Sequence, residues 1–528
     1  MGSINYIDID WPDLFKPIQT SKADINNRIR VNREIIPIIF VPGIMGSRLK
    51  NTKTGENVWD PDKSIMIMLR KYGGFWNTPA QRKRMLIGDA FNPSHLDVNE
   101  EDTSHKERGW GGVFWGSYGK FLKKLQNYKW DEPEDTDEDS DGDKKEIVGK
   151  CFELPVHAFG YNWTDTNFNA GKNLANKIEE IKNEYKSKGR LCNYVILVSH
   201  SMGGLVCRSA CMLHNANKDV LGVIHGVQPA VGAPAAYWRM KAGWERTGGI
   251  MSTVSAWVLG TNGEEVTCIL GNAPGGLELL PTKDYKNNNG ESGWLRVPTR
   301  NGEHLLPKTD PYEEIYKIDS NVFWRLINPN WLAPQDKQSP KSNPYQETKN
   351  FWEGYIKCIN KANVFHEKLK TDSHKKTYQF YASDLNTVDK VAFSREKLSF
   401  VEHHYVNPSE YAEPTIFETT EPDKMSTARG NCVMYVGSND EELQSPLPQS
   451  NITYTLNMSE IKHYTGGGDG TVPDSSGNAL KDVLNSYKLD KVEHQEAYGS
   501  TDAMTYVFKS VRNLALARIK DAQRTSGR

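Results

Sequence analysis

Ser201 stands in the pentapeptide SHSMG (Ser199–Gly203), directly after the apolar run YVILV (Tyr194–Val198) and directly before a stretch with helical spacing of apolar positions. A serine on a sharp turn between a strand and a helix is forced into a strained backbone conformation that leaves its hydroxyl exposed. Its neighbours must be small, because strand and helix approach closely there. Ser199 takes a place where glycine is usual, a mild departure, since serine is among the least bulky replacements. The alternative is an ordinary strand-to-helix turn with Ser201 capping the helix. If Ser201 is a nucleophile, the chain must also supply a base for its proton, a carboxylate to orient that base, and amides to hold the oxyanion.

The partners have candidates in the order serine, acid, histidine. Asp469 lies in GGGDGTVP (Gly466–Pro473), where glycine on both sides lets a carboxylate project from a tight loop. His494 follows 25 residues later, just before the last helix-periodic stretch. It would take the Ser201 proton and return it to the leaving alcohol, while Asp469 fixes the imidazole tautomer. Asp384, after the strand-like TYQFYA (Thr377–Ala382), is the rival acid. His200, His225, His403, His404 and His463 compete for the base; His200 points away from Ser201 within the turn, and His225 falls in a buried strand. The oxyanion amides would be those of Met202 and of Ile44, the latter in FVPGIMGS (Phe40–Ser47), where Gly43 and Gly46 let the backbone turn inward.

The elements that must position these groups alternate strand and helix. Glu34–Val41, Cys151–Ala158, Tyr194–Val198, Gly222–Val227 and Thr377–Ala382 read as buried strands. Asn173–Tyr185, Gly203–Leu213 and Thr501–Ile519 read as helices. This order predicts a doubly wound, mainly parallel α/β sheet. The predicted core is residues 30–50, 150–235, 376–395 and 460–525. Three stretches interrupt it: 51–149, 236–375 and 396–459, the last Pro-rich and irregular. Within the first, the run Glu132–Asp143 has calcium-loop spacing but Val148 where a bidentate Glu is needed, so it reads as a mobile acidic loop. The stretch from Trp238 to Leu259, with Trp238, Trp244 and Trp257 as candidate substrate or lid residues, reads either as a lid over an acyl pocket or as core packing.

Composition narrows the function. Across 528 residues, 65 Lys and Arg balance 67 Asp and Glu for a net charge of −2, which gives no support for nucleic-acid binding. Apolar residues at 37% suffice for a large core. No run is long and apolar enough for a membrane span, and the acidic N-terminus lacks the pattern of a signal peptide. Seven scattered cysteines form neither a disulfide framework nor a CxxC metal motif. The expectation is a protein made in the cytoplasm, needing no metal or cofactor, with export by a signal-independent route open to it.

Four pieces together resemble a known group: IIFVPGIMGS (Ile38–Ser47), SHSMG (Ser199–Gly203), GLELLP (Gly276–Pro281) and GDGTV (Gly468–Val472). They are similar to the lecithin:cholesterol acyltransferase and lysosomal phospholipase group and to GPI-inositol-deacylase-like hydrolases, over the core and not the insertions. The resemblance implies an α/β-hydrolase fold with large cap or lid insertions and a serine-dependent lipolytic esterase. It also implies Ser201 as nucleophile, Asp469 as acid, His494 as base, and the Ile44 and Met202 amides as oxyanion donors. A heavily inserted chain without the expected leader or membrane span looks more like bacterial phospholipase effectors of type VI secretion. That likeness implies a phospholipid or membrane-surface substrate and an inhibitory, immunity-type protein partner. Acyl transfer by the same triad, or a partner-binding toxin on a hydrolase scaffold, are the alternatives.

Overall fold

The computed structural model describes residues 4–15, 26–62, 78–87, 91–93, 103–130, 142–243, 259–299, 302–319, 322, 324–333, 344–397, 426–428, 431–437, 453–460 and 467–526. At its centre is a six-stranded sheet of β1 (Ile38–Val41), β2 (Val156–Ala158), β3 (Val195–His200), β4 (Val220–Gly226), β5 (Thr377–Ser383) and β6 (Asn485–Asp490). Their spatial order is β2-β1-β3-β4-β5-β6, with every neighbouring pair parallel. Such a sheet must be covered on both faces, and the strand sequences are written for that. Ile39, Val41, Leu197 and Val223 face one core, while Ile38, Phe40, Ile196, Val198 and Ile224 face the other. Each such side chain, fully buried, contributes about 1.5–3 kcal/mol.

The first face is covered by α3 (Asn167–Ser187) and α4 (Gly203–Leu213), through Leu174, Ile178, Leu205 and Val206. The second is covered by α2 (Trp115–Gln126) and α7 (Thr501–Ser526), through Phe121, Leu125, Val507, Val511 and Leu514. The short helix α1 (Pro79–Leu86) is started by a capping box at Thr78 and Gln81. It packs against α6 (Gly263–Leu270).

Two strands read from the sequence as single runs are each broken at a proline. Glu34–Val41 divides at Pro37 into Glu34–Ile35 and β1, and the opposite run divides at Pro155 into Phe152–Glu153 and β2. Proline has no N–H for the ladder; the two breaks sit in step, so pairing resumes beyond them, Glu34 opposite Phe152 and Ile38 opposite Val156. The sixth strand was not legible. Its residues NSYKLD form a polar edge with only Leu489 buried, so no apolar run announces it.

A second sheet corrects the reading of 396–459 as irregular. Strands Leu295–Thr299 and Gly302–Leu306 from the preceding stretch join Val391–Lys397, Ser426–Ala428, Asn431–Gly437 and Thr453–Glu460 in one six-stranded, mostly antiparallel sheet. The alternation in Thr453-Tyr-Thr-Leu-Asn-Met-Ser-Glu460 is the period-two signal of such a strand. Residues 132–141 of the acidic run lie outside the described residues; the helix Gly142–Cys151 begins at the run's last two positions. Six described cysteines carry free thiols. Among the described residues no helix is long and apolar enough to cross a membrane.

Candidate active site

The end of β3 carries Ser201 on the turn into α4, at φ 52°, a left-handed conformation that a serine adopts only under constraint. The constraint comes from both sides. The Ser201 N–H donates to the Gly226 carbonyl at the end of β4, 2.9 Å away. Gly203 lies so close to β1 that a Cβ there would stand 2.4 Å from the Val41 carbonyl oxygen. The first helical turn can thus pass under the β1 loop, which is why a side chain is excluded at this position. Ser199 is accommodated because its hydroxyl meets His225 Nδ1 at 2.8 Å across β3 and β4.

His494 comes from the loop after β6, and Asp469 from the loop that precedes it. Asp469 Oδ1 accepts from the Thr471 and Val472 amides at 2.9 and 2.6 Å, which aims Oδ2 at His494 Nδ1, 2.6 Å away. A carboxylate there requires the proton on Nδ1. His494 Nε2 is therefore the acceptor facing the Ser201 hydroxyl at 2.8 Å. The His494 N–H also donates to the Asp469 carbonyl at 2.9 Å, so the two residues are held by backbone as well as side chain. Ser201, Asp469 and His494 are all buried, which strengthens each of these bonds relative to water. The rival Asp384 directly follows β5 at φ 66°, and its carboxylate faces Lys488, 3.7 Å away.

Supports absent from the sequence reading surround the acid loop. Thr387 Oγ1 accepts from the Gly470 N–H at 2.8 Å. Asn288 spans the loop, donating to the Gly467 carbonyl at 3.0 Å and accepting from the Ser475 N–H at 3.1 Å. Asn288 sits in a surface loop with no motif around it, so nothing in the sequence marks it. On the other side, the β1 loop turns at Met45 (φ 61°) and is pinned by the Trp59 indole to the Met45 carbonyl at 2.8 Å. Among the described residues neither the Ile44 nor the Met202 amide has an acceptor.

Beside Ser201 and His494 opens a pocket lined by Ile44, Met45, Ala235, Met240, Leu270, Leu279 and Val472, with Arg239 as its one cationic side chain among the described residues. Most of this wall is apolar. The helix α5 (Pro234–Ala242) turns Ala235, Ala236, Arg239 and Met240 toward it. Trp238, read from the sequence as a substrate or lid residue, does not line it; it is 5% exposed and packs into the core on another side of the helix. Trp244 and Trp257 lie outside the described residues. Of the competing histidines, burial pushes His200 and His225 down to about 3, so both are neutral near pH 7.

This strand order, with a strained serine after the third strand in the chain and acid and histidine in loops on either side of the last, defines an α/β-hydrolase fold. Residues 168–245 match the family described as "PGAP1-like alpha/beta domain", a span that runs from α3 through Ser201 to α5. Among solved structures, the chain is similar to that titled "The crystal structure of Tle4-Tli4 complex", with a TM-score of 0.67 at 23% identity, over 92% of this chain and 99% of that one. The Bacillus licheniformis lipase BlEst2 in its propeptide form matches at a TM-score of 0.17 and 19% identity, over 40% of this chain and 26% of that one. The phospholipase PlaB from Legionella pneumophila matches at 0.22 and 10%, over 86% and 94%. Neither of these last two scores supports an argument. No curated protein matches the chain.

Proposed function

We propose that this protein is a serine-dependent lipolytic esterase that hydrolyses acyl esters of membrane phospholipids through an acyl-enzyme. The observation that carries the reading is the hydrogen-bonded chain Ser201–His494–Asp469, at 2.8 and 2.6 Å. In it His494 Nε2 takes the hydroxyl proton as Ser201 Oγ attacks the ester carbonyl carbon. Asp469 stays ionised and stabilises the imidazolium. The oxyanion of the tetrahedral intermediate would accept from the Ile44 and Met202 amides. Collapse breaks the bond to the alcohol oxygen, which leaves with the proton from His494 and leaves the acyl group on Ser201. Water, deprotonated by the same imidazole, then releases the fatty acid and restores the serine.

A lipid substrate is supported by the apolar wall beside Ser201, which suits an acyl chain better than a polar acyl group. The similarity to a chain solved in a Tle4-Tli4 complex supports a further reading: an exported effector restrained by an inhibitory partner. The test is fatty-acid release from phosphatidylethanolamine and phosphatidylglycerol vesicles by wild type and Ser201→Ala, alongside labelling by a fluorophosphonate. Wild type should release fatty acid and be labelled on Ser201; the variant should do neither. Equal labelling of the variant would remove Ser201 from the role. Labelling of wild type without lipid turnover would leave a serine esterase of another substrate class.

A further inference from the structure

His200, next to the nucleophile in sequence, is buried beneath it and makes two bonds with its ring. Nε2 lies 2.9 Å from the His494 carbonyl oxygen, and Nδ1 lies 2.9 Å from the Tyr118 hydroxyl. The Tyr118 hydroxyl in turn lies 3.4 Å from the Gly43 N–H. The directions follow from the end groups. A carbonyl only accepts, so Nε2 carries the proton; Nδ1 of the neutral ring then accepts from Tyr118; and the Tyr118 oxygen accepts from Gly43. One chain of hydrogen bonds therefore runs Gly43 N–H to Tyr118 to His200 to His494 C=O. All three donors point the same way, an arrangement in which each bond polarises the next.

We infer that His200 is a positioning residue, which with Tyr118 ties the base-bearing loop of His494 to the β1 loop that bears Ile44. The inference rests on the proposed roles of Ser201, His494 and Ile44. The loop holding His494 follows a polar edge strand, and the β1 loop lies at the opposite side of Ser201, so no shared element aligns them. His200 reaches both because it is the last residue of β3, a central strand between them. Tyr118 is available because α2 packs its ring against Phe40 of β1, centroids 4.8 Å apart. Among the described residues no group of opposite charge faces the His200 ring: its neighbours are Tyr118, Tyr498, His494 and the Gly43 backbone. The ring therefore acts as a neutral strut and takes no part in proton transfer.

The test uses the full chain and the amide side chains that mimic one ring nitrogen each. His200→Gln places an N–H near the position of Nε2 and keeps the bond to His494, whereas His200→Asn and His200→Phe lose it. Phenylalanine fills the space best. With phosphatidylglycerol vesicles, His200→Gln should stay within about fivefold of the wild-type kcat. His200→Asn and His200→Phe should fall by about 10- to 100-fold with KM unchanged, the scale of a small misplacement of reacting groups. Tyr118→Phe removes one oxygen from a packed ring, a change the fold tolerates, and should cost kcat about tenfold. If His200→Phe matches wild type while His200→Gln is poor, or if only KM moves, the ring is a space-filler and the inference falls. Imidazole nitrogen shifts give a readout independent of turnover: His200 should be neutral and protonated on Nε2. Protonation on Nδ1 would overturn the strut even if the esterase reading stands. A wild type with the expected tautomer but no Ser201 labelling would defeat the esterase reading alone.

Discussion

At the scale of single residues, the candidate site is a matter of a few tenths of an ångström held by backbone. Asp469 is fixed by two amides before it meets His494, so its carboxylate does not need the imidazole to find its place. Asp469→Asn should therefore fold normally, yet present an amide where a carboxylate must accept the Nδ1 proton. We expect kcat to fall by about 10⁴-fold, the loss seen when a triad imidazole is held in the wrong tautomer, with a melting temperature close to wild type. Asp384→Asn, which loses only the contact with Lys488, should leave kcat within about twofold, because an exposed ion pair contributes about 0–1 kcal/mol. Turnover of the two variants on one ester, with melting curves, checks both; the reverse order would move the acid to Asp384.

Among the elements, the placement of Ser201, the proposed nucleophile, depends on how closely α4 passes β1. Gly203→Ala puts a Cβ against the Val41 and Pro42 carbonyl oxygens, at 2.4 and 2.5 Å, and backbone cannot yield there as a flexible side chain would. The helix must shift, at a cost of about 1–3 kcal/mol. The shift moves Ser201 away from His494. Gly203→Ala should lower the melting temperature and slow fluorophosphonate labelling together. A stable variant labelled at the wild-type rate would show that the turn has room to adjust. The pocket wall has a similar dependence on α5, whose face divides between Ala235, Ala236, Arg239 and Met240 at the pocket and Tyr237 and Trp238 in the core.

At the scale of the whole molecule, the buried titratable groups set how stability follows pH. Burial lowers His157, His200 and His225 to about 3 and His366 to about 4, from an ordinary 6.5. Between those values the unfolded chain binds protons that the folded chain refuses, so stability is lost as pH falls below about 6.5. Glu278 is shifted the other way, up to about 8, because it is wholly buried against the start of α3. The folded state keeps that proton where the unfolded state releases it, so stability is lost as pH rises from about 4.5 through 8. Each group contributes a slope of up to about 1.4 kcal/mol per pH unit. Among these five groups, four against one makes the acid side steeper, and their combined maximum should lie near pH 7. Denaturant melts across pH 5–9 should show this asymmetric optimum, and Glu278→Gln should flatten the alkaline side. An optimum that Glu278→Gln leaves unchanged would mean that Glu278 is ionised in the fold.

Features that are local or periodic were legible in the sequence. The buried parallel strands could be read because both faces of β1, β3 and β4 must be apolar, which leaves runs such as YVILV with no polar break. The turn at Ser201 could be read because close approach of strand and helix restricts residue size within five positions. Asp469 could be favoured over Asp384 from its glycines alone, since a projecting carboxylate needs a tight loop on both sides. Features that depend on contacts between distant segments emerge only in the folded chain. Asn288 and Thr387 reach the Asp469 loop across about 180 and 80 positions of chain, and such pairs leave no spacing to detect. The edge strand β6 is defined by its partner β5, since an edge need not be apolar. Trp238 has the same composition signal whether it covers a pocket or fills a core; the turn of α5 placed it in the core. His200 was legible as turning away from Ser201, but its two partners lie 82 and 294 residues away. Local sequence restricts conformation by sterics and periodicity, whereas a hydrogen bond between distant segments exists only once the chain has closed around it.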